Sequence, residues 1–235
     1  MASSDKLALN NLIIEKAKTL GVSLAGITTI SALLNSHSHK NYEFQLSAKV
    51  KSVIVLALTH KETEPKLDWW DGAGTAGNTR LENIAKNLKR FIKEELNTEA
   101  RLLPYHPDGR GIFLKDAAVL AGLGIIGANN LVITPEFGPR IRLRALGVSS
   151  TLIPTGLKDF DPCATCHMPC RQVCPQNAFK DGFYQRMLCM NQMKKDEAKA
   201  SKPAIIEVNG QLDPSSRYIR YCRACELACP VGKDT

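Results

Sequence analysis

The position of the cysteines constrains this chain more than any other feature. Residues 1 to 162 contain none, and residues 163 to 229 contain all eight. They read Cys163-x2-Cys166-x3-Cys170-x3-Cys174-Pro175, then Cys189 alone, then Cys222-x2-Cys225-x3-Cys229-Pro230. A chain of 235 residues is long enough to bury a sizeable core without cross-links. The thiols are therefore not needed as staples, as they would be in a tiny secreted fold. Grouped thiols with short spacers point instead to metal.

Eight thiols make two sets of four, and four thiolates are what one [4Fe–4S] cube requires. In the bacterial ferredoxin run, the first three cysteines hold one cube and the fourth crosses to the other. A loop wraps three close ligands, and the last, carried into the next turn before a proline, points away. The expectation is that Cys163, Cys166, Cys170 and Cys229 hold one cluster. Cys174, Cys189, Cys222 and Cys225 then hold the second. The first run departs from the standard spacing by one extra residue between Cys166 and Cys170, which widens a loop. Two structural zinc sites would use the same number of ligands. The twin Cys-Pro endings and the crossed pairing favour iron–sulfur. His167 lies inside the first run, but eight thiols already fill both cubes.

The cysteine-free part reads as a larger α/β region over residues 1–160, followed by a small module over 161–235. Residues 4 to 20 predict a helix with Ser4 as cap, Leu9, Leu12, Ile13 and Ala17 on one face, and Gly21 at its end. "VSLAGITTI" and "SVIVLALT" at 52 to 59 predict strands, the second apolar throughout like a central one. "GAGTAGN" at 72 to 78 reads as a loop. A second helix is expected from Thr79, where "TRLE" has the capping-box pattern. "EARLLP" predicts a short strand before the turn "YHPDGRG". "IFLKDAAVLAGLG" predicts a helix ending at Gly122 or Gly124. "NLVIT" and "RIRLRALGV" look like two strands paired through "PEFGP". Asn209-Gly210 predicts a hairpin within 205 to 213, and "KKDEAKASK" before it a solvated linker.

The formal charge of +8, from 31 basic and 23 acidic residues, suggests an acidic partner or nucleic acid. Thiolates on iron would remove much of it. The first residues carry Asp5, Lys6 and Glu15 and lack a long apolar stretch before a cleavage site. The longest apolar run is too short to span a bilayer. The expectation is a cytoplasmic protein with no membrane partner.

"AGLGIIGANNLVITPEFG" at 121 to 138 resembles a signature of the epoxyqueuosine reductases. The order of the two cysteine runs, with one cysteine between, matches that family too. The resemblance implies an α+β body, an α/β sandwich similar to the flavin nitroreductase fold, with a ferredoxin-like module of two [4Fe–4S] clusters. It implies cobalamin in the body, reduced by the clusters, as in the related reductive dehalogenases. The family's proton donor opens a motif close to D-T-x-P-x-x-E-R. Counted back from Ala121, that position is Asp108, but the Thr, Pro and Glu of the motif become Gly109, Gly111 and Leu114, and Lys115 replaces the arginine. Pro-Asp-Gly is also a common turn in which Asp caps its own backbone. Tyr105 and His106 are nearby substitutes.

Gly122, Gly124 and Gly127 would let the backbone approach a large planar cofactor, or else cap a helix. Asn129 matches the family asparagine. Arg140, Arg142 and Arg144 alternate on one strand and read as a solvated face before an anion site. The family's tRNA-modifying members continue into helical repeats, which these 235 residues do not include. Trp69 and Trp70 have acidic neighbours, Asp68 and Asp71, unlike a platform for single strands. The expected function is a corrinoid-dependent reductase fed by an external ferredoxin- or flavodoxin-type donor, acting on a small or partner-borne substrate. tRNA is the less favoured substrate, and an electron-transfer protein that reduces a partner's cofactor is the rival.

Overall fold

The longest apolar run becomes the central strand of the body. The computed structural model describes residues 3–40, 42, 49–61, 64–104, 111–200, 206–208, 211–213 and 218–233. Strand β2 (Ser52–Thr59) is buried at every position except Thr59. It lies between β1 (Leu24–Thr29) and β6 (Ile141–Val148), and β3 (Ala100–Leu103) adds to the far side of β6. All three pairings are antiparallel, with Ile27 opposite Ile54 and Val55 opposite Ala145.

Side chains alternate across a strand, so β2 feeds two cores. Ile54, Leu56 and Leu58 meet Ile13 and Ala17 of helix α1 (Ser3–Thr19) and Leu81, Ile84, Leu88 and Ile92 of α3 (Ala76–Glu94). Val53, Val55 and Ala57 meet Leu33 of α2 (Ile30–Leu34) and Leu114, Ala117 and Ala118 of α4 (Leu114–Leu120). Burial on both faces is why the run shows no apolar–polar alternation. Each Val, Leu or Ile among them contributes about 1.5–3 kcal/mol when fully buried.

Several sequence expectations shift in detail. On α1, Leu12 is 49% exposed while Asn10 is buried, its amide spanning the backbone of Ile153 at 2.5 and 3.3 Å. Gly21 ends that helix at φ +105°. Helix α3 starts at Ala76, not Thr79, because Thr75 caps it by accepting from the Asn78 N–H at 3.2 Å. Glu82 is left to pair with Lys86 at 2.8 Å.

The expected pairing of 130–134 with 140–148 does not form. β5 (Val132–Ile133) pairs with β4 (Ile125–Ile126), and β6 joins the main sheet. The turn itself is present, with Thr134 and Gly138 exchanging backbone bonds at 3.0 and 2.9 Å. β6 leaves it because Ala145, Leu146 and Val148 are buried fully only between the two cores.

In the cysteine-bearing part, α5 (Pro169–Gln172) and α7 (Ala224–Leu227) pack together. The expected linker from Lys194 is instead helical as far as Lys199, the end of α6 (Arg186–Lys199). The hairpin forms as β7 (Ile206–Val208) and β8 (Gln211–Asp213), its Asn209-Gly210 turn outside the described residues. Among the described residues no helix is long and apolar enough to cross a membrane.

Candidate metal centre

The "AGLGIIGANN" segment positions the cysteines. Gly122, at φ +69°, ends α4, and a Cβ there would run into the Gly156 carbonyl. A Cβ on Gly124 would strike the Ile133 carbonyl, and one on Gly127 the Ile133 side chain. Thr155 Oγ1 lies 2.6 Å from the Ala121 carbonyl and accepts the Ile27 N–H at 3.0 Å, so the segment is pinned onto β1. On the side where a Cβ would lie, all three glycines expected at a cofactor meet protein atoms.

The turn that follows, closed by Gly127 N–H to Leu131 O at 2.9 Å, touches both cysteine runs. The Ala128 N–H donates to Cys163 Sγ at 3.4 Å, and its carbonyl accepts from Arg171 Nε at 2.9 Å. Asn129 is 2% exposed; its Oδ1 accepts from Leu131 N–H, and its Nδ2 donates to the Cys225 carbonyl at 3.3 Å. Lys115 Nζ donates to Asn130 O at 2.6 Å, and burial pulls its pKa down.

The thiols act on one another in groups. Burial pushes the Cys170 thiol up, and the charges of Cys229, Cys163 and Cys166 push it further. Burial followed by Cys222, Cys189, Glu226 and Cys174 pushes Cys225 up to about 12. Backbone N–H groups donate to sulfur at Cys166 (from Met168, 3.4 Å) and Cys174 (from Ala178, 3.3 Å). Cys170 and Cys229 are buried, whereas Cys222 is exposed. Cys189 rides on α6, and Asp196 of the same helix accepts the Cys222 N–H at 2.8 Å. Among the described residues no three His, Cys, Asp or Glu side chains stand as one ion would need them.

The arginine strand does not form the expected solvated face. Arg140 is 5% exposed and donates to the carbonyls of Cys229 and Val231. Arg142 and Arg223 both pair with Asp68, and His60 Nδ1 lies 2.9 Å from the same carboxylate. Burial pushes the Asp68 carboxyl up, but His60, Arg142 and Arg223 together hold it below the usual range. Arg144 is half-buried near Glu82. Sequence reading missed the Asp68–Arg223 pair, since partners 155 residues apart leave no spacing signal. Trp70 exchanges backbone bonds with Ile219 at 2.9 and 2.8 Å, and Trp69 lies under Arg220 at 4.1 Å. Both tryptophans therefore have partners within the chain. Asp108, Tyr105 and His106 lie outside the described residues.

No family model matches the chain. The tetrachloroethene reductive dehalogenase of Sulfurospirillum multivorans is 40% identical over 121 residues, covering 49% of this chain and 23% of that protein. An epoxyqueuosine reductase solved with an epoxyqueuosine-modified tRNA-Tyr stem loop superposes at a TM-score of 0.66, covering 97% of this chain at 19% identity. Over the 121 matched residues the chain is similar to the reductive dehalogenase, and it has the fold of the epoxyqueuosine reductases. A reductive dehalogenase whose structure suggests a mechanism for B12-dependent dehalogenation superposes at 0.51, with 19% identity over 69% of this chain. The chain spans 66% of the epoxyqueuosine reductase's length and 24% of this dehalogenase's.

Proposed function

We propose that the chain is an iron–sulfur oxidoreductase carrying two [4Fe–4S] clusters. One would be held by Cys163, Cys166, Cys170 and Cys229, the other by Cys174, Cys189, Cys222 and Cys225. The observation that carries this is the way the thiols divide. Cys170 feels Cys163, Cys166 and Cys229, whereas Cys225 feels Cys174, Cys189 and Cys222. Buried thiols that also raise one another suit a cationic core that takes them as thiolates. The N–H donors at Cys163, Cys166 and Cys174 fit as well, since hydrogen bonds to sulfur tune such clusters.

When bound, the clusters supply single-electron transfer. The chain's own part is to fix them. The 127–131 turn reaches the Cys163 sulfur and the Cys225 loop together, and Arg140 fixes the backbone at Cys229 and Val231. The exposed Cys222 favours electron entry at the second cluster from an external ferredoxin- or flavodoxin-type donor. The proposed acceptor is a corrinoid, supported by the similarity to a reductive dehalogenase. The Cβ directions of Gly122, Gly124 and Gly127 are filled by Gly156 and Ile133, so on that side the glycines meet protein and not a corrinoid. Asp108 is proposed as proton donor to a small or partner-borne substrate, with tRNA the less favoured one.

The test is anaerobic purification with iron, sulfide and corrinoid analysis. The cluster reading expects about eight iron atoms per chain; zinc, or iron near zero after reconstitution, refutes it. Reconstituted protein that neither binds cobalamin nor gives a cobalt redox signal refutes the corrinoid part alone.

A further inference from the structure

Five charged or titratable side chains converge where the second cysteine run meets the body. Arg223 stands between Cys222 and Cys225. Its guanidinium pairs with Asp68, meets Glu226 at 2.5 Å and lies 2.8 Å from His60 Nδ1. The second oxygen of Asp68 receives Arg142, which also donates to Asn78 at 3.2 Å. The Asp68 side chain is 6% exposed, that of Arg223 17%. Two residues from Asp68, Trp70 bridges to Ile219, so this stretch of the body is tied to the second run by both side chain and backbone.

We infer that Asp68 is a positioning residue for the cluster held by Cys174, Cys189, Cys222 and Cys225. It anchors Arg223, and through it the Cys222–Cys225 loop, and it neutralises the positive charge carried beside that cluster. This rests on the two-cluster reading above. Arg142 and Arg223 against Asp68 and Glu226 leave the group without net charge when His60 is neutral. Removing one carboxylate leaves an arginine uncompensated in a buried setting, where charge is weakly screened. Reducing a cube from the 2+ to the 1+ state adds one electron, which nearby positive charge favours. The cluster with Cys163, Cys166, Cys170 and Cys229 has its own arginine, Arg140, on the Cys229 carbonyl, and it meets this group through backbone, where the Cys229 N–H donates to the Glu226 carbonyl at 3.2 Å.

The experiment is a dithionite titration of the reconstituted full chain, with each cluster followed by electron paramagnetic resonance. Asp68→Asn is expected to make one cluster easier to reduce by about tenfold in the equilibrium, or about 59 mV for a one-electron couple, and to leave the other unmoved. Arg223→Gln should shift the same cluster the opposite way, and the double variant should return near wild type. A merely loosened loop would move both single variants in the same direction, and that result overturns the inference. So does an equal shift of both clusters, or none. Should Asp68→Asn not fold, Arg223→Gln decides by its sign. Wild-type protein lacking two clusters sinks the underlying reading, and this inference with it. Two wild-type clusters whose potentials the variants do not move sink this inference alone.

Discussion

Gly122 sits at a left-handed φ with the Gly156 carbonyl in its Cβ direction, so two separate costs fall on any side chain there. Gly122→Ala should destabilise the protein by more than about 1 kcal/mol in urea unfolding. Gly74→Ala, with open space and no left-handed backbone, should be close to neutral. Asp116 offers a second test at this scale. Its burial pushes the carboxyl up, but hydrogen bonds from His39, Ser36 and Ser38 outweigh that and hold it well below the usual carboxylate range. A carboxyl depressed in the fold lends stability in full above its unfolded pKa of about 3.9 and loses it as acid protonates the folded form. Asp116→Asn should therefore be less stable than wild type at neutral pH, and the gap should narrow as pH falls from about 5 to about 3. A gap independent of pH would count against this account.

At the scale of elements, α5 and α7 each carry a cysteine into the packing between the two runs, and α6 brings in Cys189. The crossed assignment makes a specific expectation here. Cys174→Ala should leave the cluster of Cys163, Cys166, Cys170 and Cys229 intact, halving iron from about eight to about four atoms per chain. Loss of only the first cluster's resonance signal would overturn the crossing. The body elements answer to different physics. α3 is placed by five buried aliphatic residues and one cap, and β6 by the two cores it closes.

Across the whole molecule, the cysteine segment is fastened to the body at several points. These are Ala128 and Asn129 in the central turn, Arg140 under Cys229, Asp68 under Arg223, and the Trp70–Ile219 bridge. Each proposed cluster takes ligands from both cysteine runs, so bound clusters would cross-link this junction. Reconstituted protein should accordingly melt several degrees above protein stripped by a chelator, as read by circular dichroism. Equal melting temperatures would mean that the clusters do not brace the junction.

The sequence by itself determined the central strand, three of the helices packed on it (α1, α3 and α4) and the two cysteine runs; α2, at Ile30–Leu34, was legible only in the structure. Apolar period, caps and short ligand spacings are local, and local patterns survive in one dimension. The tertiary structure alone decided the rest. It sent β6 to the main sheet, because burial on two faces outweighs pairing with a near neighbour. It gave Gly122, Gly124 and Gly127 to backbone and side-chain packing, which no spacing reveals. It buried Arg140 and drew Asp68 to Arg223 across 155 residues, because a desolvated charge must find its partner wherever the fold brings one.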